Sequence, residues 1–241
     1  GDPDFFNGIG HALPIVRALH AEFPDLTYDV TIKVEHLLQH AEALPVLHDT
    51  GCAFVVTAVE AFDDGILAAL DKGHTRADFE RALALSRQLG LVLQPTFVAF
   101  TPWITLRGYG ALLEGLASLD LIEHVAPVQL PLRLLIPAES RLLERDDVRG
   151  WIDGFDAPAL VHRWRHPDPR VDALPRALQA AVQRRTTAGE GRAAIFRAVC
   201  EIAEDYGAGS DRLRAALAAA SAGALAGRRA PVPYLTEPWY C

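Results

Sequence analysis

Two kinds of apolar pattern alternate along the first 137 residues of the chain. In 11–23 the apolar positions recur at the spacing of one helical face, whereas in 28–34 they alternate with polar positions as in a strand. The run 52–60, CAFVVTAVE, is apolar almost throughout, which is typical of a strand buried on both faces. The unit of helix and strand recurs about four times, so the pattern predicts helices around a parallel sheet.

The alternation of helix and strand continues to residue 137 and then stops. Further strands are predicted over 91–100 and 123–137, with a helix between them. Beyond residue 137 we find helical and loop patterns and no strand pattern. We therefore predict an α/β fold in which residues 1–137 form a partial barrel and residues 138–241 form a mainly helical C-terminal extension.

Composition limits the class of protein. The net charge is -8 and the arginines are scattered among acids, so no basic cluster favours a nucleic acid or an anionic membrane as partner. The apolar runs are too short to cross a bilayer, and residues 1–20 lack the features of a signal peptide. Cys52, Cys200 and Cys241 are widely separated, which predicts a reducing, cytoplasmic location, and no pair has metal-site spacing.

Polar residues at the carboxyl ends of parallel strands are the first candidates for chemistry. Glu60 ends a buried run, where an ionised carboxylate is costly unless it meets hydrogen-bond donors. A pair of ligand hydroxyls or an ammonium group would satisfy it. The alternatives are a helix N-cap role and an ion pair with Lys33.

The basic candidates are Arg133 and the only two lysines, Lys33 and Lys72. Arg133 sits among leucines at the end of the last predicted strand and suits the recognition of a carboxylate, although an ion pair with Glu60 or Glu35 is the alternative. Lys72 precedes a glycine and is predicted to close a helix. If the protein were a TIM-barrel lyase or aldolase, Lys33 would be the residue that forms the Schiff base, with Glu35 or Glu60 as acid and base.

The segment 51–103 resembles the radical S-adenosylmethionine (radical SAM) superfamily in the order of its features. Gly-Cys precedes an apolar strand that ends in Glu60, followed by DDGILAALDKGHT, an alanine-rich helix ending in Gly90, and a strand leading to FTPW. FTPW departs from the family's GxPgxT-like strand exit. The resemblance implies a partial (β/α)6-type barrel that lacks its first strand.

The resemblance also implies the cofactors. Members hold a [4Fe-4S] cluster by a CxxxCxxC motif, and the open iron of that cluster binds S-adenosylmethionine (SAM). This chain has no such motif, and GDPDFFNG falls where the family has a GGEP-like motif. We expect the cluster ligands upstream of Gly1, and the absence of Met agrees with a chain that is cut there.

The resemblance assigns roles to particular residues of this chain. In the family's pattern Gly1, Asp2 and Pro3 would line the methionine end of SAM, and Glu60 would bind the ribose hydroxyls. Phe97 and Val98 would flank the adenine, and Gln129 and Arg133 would lie near the substrate or the SAM carboxylate.

The end of the chain, LTEPWYC, resembles a radical SAM group whose tail reads Cys-Cys-Ala-Glu-Pro or Cys-selenocysteine-Ala-Glu-Pro. This implies a selenocysteine codon after Cys241. The resemblance also leaves room for a cobalamin-binding domain upstream, and it implies a reductant such as flavodoxin or ferredoxin and an unidentified small-molecule or peptide substrate. The alternatives are the lyase and a non-catalytic module that binds a partner protein through its C-terminal helices.

Overall fold

The structure is a computed structural model that describes residues 4–223, with side chains described as far as residue 220. The helices and strands, in chain order, are α1 (Ile9–Glu22), β1 (Tyr28–Thr31), α2 (Val34–Gln39), α3 (Leu44–Asp49), β2 (Cys52–Glu60), α4 (Asp64–Ala69), α5 (Arg76–Gln88), β3 (Leu93–Phe97), α6 (Leu106–Ser118), β4 (Ile136–Pro137), α7 (Asp146–Arg149), β5 (Ile152–Asp156), β6 (Val161–Trp164), α8 (Pro169–Thr187), α9 (Arg192–Asp205) and α10 (Asp211–Gly223). Short 3-10 helices occupy Phe5–Gly8, Ala41–Ala43, Ile122–His124, Pro127–Gln129 and Arg141–Glu144.

The described residues form two compact units. One unit contains residues 4–58 and 77–95, and the other contains residues 59–76 and 96–223. The chain leaves the first unit within β2 and again within β3. The predicted boundary after residue 137 falls inside the second unit, and the division into 1–137 and 138–241 stays a prediction.

A sheet with the strand order β1-β2-β3 confirms the predicted α/β class. β1 and β2 are parallel, with Val30 opposite Val55 and Thr31 opposite Val56. Val30 and Val55 are buried whereas Thr31 is exposed, so the alternation read from 28–34 is the alternation of a covered and an open face. Parallel pairing requires a crossover between the strands, and α2 and α3 supply it.

Helix α6 organises the second unit. Its side chains Tyr109, Leu113 and Leu116 are fully buried. A Cβ at Gly110 would lie 2.0 Å from the backbone oxygen of Ala208, so this helix and the turn before α10 approach more closely than any side chain would permit. Burial therefore depends on a glycine at that position.

The predicted strand 123–137 is wrong over most of its length. Two 3-10 helices occupy its first part, and only an isolated parallel bridge between Phe100 and Arg133 and the two-residue β4 remain extended. Three prolines in the run, at 127, 131 and 137, remove backbone donors that a strand would need. Leu130 and Ile136 are buried whereas Val128, Leu132 and Leu135 are exposed, so the apolar run does not correspond to one buried face.

The C-terminal extension is mainly helical, but it also contains strands that the sequence pattern did not show. β4, β6 and β5 form an antiparallel sheet in that order, with Phe155 opposite His162. The sequences of β5 and β6, IDGFD and VHRW, are half polar, and Trp164 is the one buried residue in these two strands, so their hydrophobic signal is weak. Within residues 4–223, none of the helices has the length and apolar character that a membrane crossing requires.

Candidate functional site

The second unit contains five of the predicted site residues. They are Glu60, Phe97, Val98, Gln129 and Arg133. The other three predicted residues, Gly1, Asp2 and Pro3, lie outside the described residues, as does Cys241.

Glu60 is the last residue of β2 and has a positive φ of 67°, which few residues other than glycine adopt. Its side chain is 20% exposed, and Oε1 lies 3.0 Å from Nζ of Lys72, whose side chain is 27% exposed. Lys33, the partner considered from the sequence, instead has Oδ2 of Asp4 at 3.8 Å. An ion pair between Glu60 and a lysine was therefore one of the alternatives considered from the sequence, but the lysine is Lys72 and not Lys33.

The loop that carries Lys72 is tied to the end of β2. Nε2 of His74 lies 3.3 Å from the backbone oxygen of Val59, and its Nδ1 lies 3.1 Å from the backbone oxygen of Lys72. His74 is buried at 9% exposure. One imidazole ring thus lies against the backbone of both Val59, which precedes Glu60 in β2, and Lys72, which pairs with Glu60.

A cavity of about 90 Å³ opens beside Glu60. Val98 lines it, and the backbone amide of Val98 donates a hydrogen bond of 3.0 Å to the backbone oxygen of Glu60. The remaining lining is mostly apolar, with Asp63 and Arg76 as its other charged residues: Ala61, Phe62, Ile66, Ala99, Ile104, Gly108, Ala111 and Leu112. At about 90 Å³ the cavity is smaller than the roughly 300–1,000 Å³ of a typical ligand pocket, so it suits part of a ligand, such as an apolar ring that carries hydroxyls toward the carboxylate.

Phe97 and Val98 have different environments. The Phe97 ring is buried and meets the Phe62 ring edge-on at a centroid distance of 4.9 Å, whereas Val98 lines the cavity. Consecutive residues of an extended segment point to opposite sides, which explains the separation. That both flank an adenine stays a prediction, and of the two it is Val98 that the cavity exposes.

Gln129 fixes the carboxyl end of β3. Its Oε1 accepts a hydrogen bond of 2.9 Å from the backbone amide of Phe97. The side chain therefore supplies the acceptor that a neighbouring strand would otherwise provide. The predicted contact of Gln129 with a substrate or with the SAM carboxylate stays a prediction.

Arg133 meets protein groups on several sides. Its Nη1 donates to Oδ1 of Asp172 at 2.7 Å and its Nη2 donates to the backbone oxygen of Trp164 at 3.1 Å. The guanidinium carbon lies 3.9 Å from the centroid of the Trp164 ring. Asp172 in turn accepts from the backbone amide of His166 at 3.0 Å. The ion pair expected with Glu60 or Glu35 is thus replaced by one with Asp172.

The lyase alternative depends on Lys33, which lies in the first unit. Its side chain is 59% exposed, and its partner Asp4 is buried and lies 2.6 Å from Nδ1 of His36. A Schiff-base lysine needs a desolvated pocket that makes the neutral amine accessible. The exposure of Lys33 therefore argues against the lyase.

The described residues do not fit an iron–sulfur cluster. Across residues 4–223 we find no group of three or more His, Cys, Asp or Glu residues that could hold a metal ion. Burial, the largest cause, raises the pKa of the Cys52 thiol and of the Cys200 thiol to about 12. Both thiols are therefore protonated at neutral pH.

Sequence reasoning missed His74, Trp164 and Asp172, and it gave Lys72 a role at the end of a helix instead of the ion pair with Glu60. The scarcity of lysine was the available signal for Lys72, because the chain has only two. His74 follows Lys72 by two residues, but nothing in the sequence places its ring against Val59. Asp172 and Trp164 come from the C-terminal extension, whose strands the hydrophobic pattern did not show.

Comparisons with known proteins support the fold. No known family's sequence profile matches the chain, and no curated protein matches it. Solved structures of the cobalamin-dependent S-adenosylmethionine radical enzyme OxsB are similar to it. The form with aqua-cobalamin bound and the form with aqua-cobalamin and S-adenosylmethionine bound both give a TM-score of 0.61 at 14% identity. The apo, selenomethionine-labelled form gives 0.58 at 15% identity.

Each of these alignments covers 72% of this chain and 31% of the OxsB chain, so this chain corresponds to about a third of the length of that enzyme. At this identity the likeness concerns the fold. The chain therefore has a mixed α/β fold, with a parallel sheet and helices, that is similar to part of a radical SAM enzyme.

Proposed function

We propose that this chain belongs to an enzyme of the radical SAM superfamily and forms the part that binds the nucleoside of SAM. The intact enzyme would cleave SAM reductively and direct the resulting 5'-deoxyadenosyl radical at a substrate that the sequence does not identify. The observation that carries the proposal is the Glu60 carboxylate beside an apolar cavity, in a fold similar to part of OxsB.

The cavity and its rim suit the two ends of a nucleoside. Oε2 of Glu60 has no hydrogen-bond donor among the described residues, so this oxygen is available to a ribose hydroxyl. Val98 and the apolar lining would face the adenine, and Gln129 would hold the strand end that presents Val98. Bound SAM supplies the cleavable bond, and these residues orient it and exclude water.

Three further assignments belong to this proposal. Gly1, Asp2 and Pro3 would line the methionine end of SAM, as the resemblance implies. The thiolates of the [4Fe-4S] cluster would come from a part of the protein encoded upstream of Gly1, and a cobalamin-binding domain there is suggested by OxsB, which is described as cobalamin-dependent. Flavodoxin or ferredoxin would supply the electron.

We also propose that the protein belongs to the radical SAM group with a Cys-Cys-Ala-Glu-Pro or Cys-selenocysteine-Ala-Glu-Pro tail. The support is LTEPWYC at the end of the chain, which lies outside the described residues. DNA sequencing downstream of Cys241 tests the assignment. A selenocysteine or cysteine codon followed by Ala-Glu-Pro codons is expected, and any other sequence rejects it.

The proposed function is tested on the complete gene product, purified without oxygen. We expect bound iron, and we expect dithionite with SAM to yield 5'-deoxyadenosine. The matched control is the same protein with the upstream cysteines replaced by alanine, which should bind no cluster and yield none. Borohydride trapping of a carbonyl substrate on Lys33 would instead favour the lyase, and a protein that binds neither iron nor SAM would favour the partner-binding module.

A further inference from the structure

The loop between α4 and α5 makes two contacts with the end of β2. One is the ion pair of Lys72 with Glu60, with 3.0 Å between Nζ and Oε1. The other is the contact of His74 with the backbone oxygen of Val59, at 3.3 Å from Nε2. Both contacts act on consecutive residues of β2, so the loop constrains the backbone as well as the side chain at this strand end.

The ring of His74 also constrains its own loop. Its Nδ1 lies 3.1 Å from the backbone oxygen of Lys72. Two carbonyl oxygens therefore face the two ring nitrogens, and a neutral imidazole donates to one of them while the protonated ring donates to both. In either form the ring lies between Lys72 and Val59, so a change at His74 displaces the lysine.

The backbone around the ion pair adopts conformations that only a defined loop maintains. Asp71 has a φ of 55° and Gly73 a φ of 69°, on either side of Lys72, and Glu60 itself has a φ of 67°. Left-handed conformations at non-glycine residues are costly and persist where the surroundings enforce them. Lys72 is thus held by fixed backbone on both sides.

Lys72 occupies one oxygen of the Glu60 carboxylate and leaves the other without a donor among the described residues. A carboxylate with one oxygen fixed presents the other in a defined direction, whereas a free glutamate side chain samples several rotamers. The direction matters for a vicinal diol, because its hydroxyls lie at fixed angles to the sugar ring.

We propose that Lys72 is a positioning residue that aims the Glu60 carboxylate at the ribose diol, and that His74 holds Lys72 in place. This inference rests on the proposed function. It adds that the preference of the site for a ribonucleoside over a 2'-deoxyribonucleoside depends on a lysine that has no contact with the ligand.

The test measures binding of S-adenosylhomocysteine and of its 2'-deoxy analogue to the complete gene product by calorimetry. The variants are Lys72→Gln, Lys72→Arg and His74→Phe. Lys33→Gln is the matched control, because it removes the only other lysine of the chain. The free energy of unfolding of each variant, measured in urea, reports whether the fold persists.

We expect the native protein and the Lys33→Gln variant to prefer the ribose form by about tenfold, the ratio typical of one hydrogen bond to a charged group. Lys72→Gln and His74→Phe should reduce the preference to less than about threefold, chiefly by weakening the binding of the ribose form. Lys72→Arg should restore most of it. A purely structural role would instead weaken both ligands equally.

The outcomes separate the inference from the function on which it rests. A native preference that Lys72→Gln leaves unchanged or increases overturns the inference and leaves the proposed function intact. A native protein that binds neither ligand and cleaves no SAM overturns both. If Lys72→Gln does not fold, Lys72→Arg and His74→Phe decide, and an unchanged preference in His74→Phe removes the role of that ring.

Discussion

Nζ of Lys72 lies 3.0 Å from Oε1 of Glu60, and the two residues are separated by a helix and two turns. One oxygen of the carboxylate is therefore paired with the ammonium group, and the other oxygen has no donor among the described residues. The pair joins the end of β2 to the loop after α4 beside an apolar cavity.

Glu60→Gln should weaken the binding of S-adenosylhomocysteine by about tenfold or more, because a neutral amide accepts a weaker hydrogen bond than a carboxylate. Calorimetric titration measures the change. Glu22→Gln, at the exposed end of α1, is the control and should bind as the native protein does. Equal affinity in both variants would show that Glu60 does not contact the ligand.

Arg133→Lys should lower the free energy of unfolding by about 1–2 kcal/mol, because lysine replaces the bond to Asp172 but loses the stacking on Trp164. Urea denaturation measures this change. The affinity for S-adenosylhomocysteine should stay within about twofold, as the guanidinium is already paired. A large loss of affinity with unchanged stability would support the role near the SAM carboxylate instead.

Gly110→Ala and Gly10→Ala are the same substitution with opposite expected effects. At Gly110 the new Cβ would meet the backbone oxygen of Ala208 at 2.0 Å, so we expect a loss of about 3 kcal/mol or more in the free energy of unfolding. Gly10 lies in α1 with no atom within 4 Å of the new Cβ, and there we expect a gain of about 0.5 kcal/mol. Similar effects of the two variants in urea would contradict the close packing of α6.

The free energy of unfolding should fall as the pH rises from 9 to about 12, the range between the ordinary pKa of a thiol and the raised pKa of Cys200. In this range the unfolded chain has lost the thiol proton and the folded chain keeps it, so a higher pH favours unfolding. Tyr109 acts in the same direction, because burial raises the pKa of its phenol.

Cys200→Ala should therefore lose less stability over this range than the native protein, as measured by urea denaturation at several pH values. Ser118→Ala is the control, since it removes an exposed hydroxyl that does not titrate there. Identical pH dependence of the native protein and Cys200→Ala would mean that the thiol is not buried in solution.

The sequence predicted elements wherever burial and period coincide. Val30 and Val55 are buried partners in a parallel sheet, and their strands were recognised from the apolar alternation and the apolar run. β5 and β6 were missed because two short, half-polar strands in which only Trp164 is buried carry no such period. The run 123–137 was misread because its apolar residues do not follow one buried face, and its prolines were given too little weight.

The same distinction applies to the candidate site. Glu60 was recognised because a carboxylate ends an apolar run, a property of the local sequence. Its partner Lys72 and the partner of Arg133, Asp172, are 12 and 39 residues away. Such pairings depend on how loops and helices pack, and the sequence pattern carries no information on that packing. The cavity beside Val98 likewise exists only in the folded chain.

The most direct test of the proposed radical SAM function is the reductive cleavage of SAM by the complete gene product under anaerobic conditions. Iron is quantified first, and 5'-deoxyadenosine is then measured by chromatography after addition of dithionite. We expect about four irons per chain, and we expect 5'-deoxyadenosine to form with native protein and much less of it to form with Glu60→Gln. A protein that binds no iron and leaves SAM intact would contradict it.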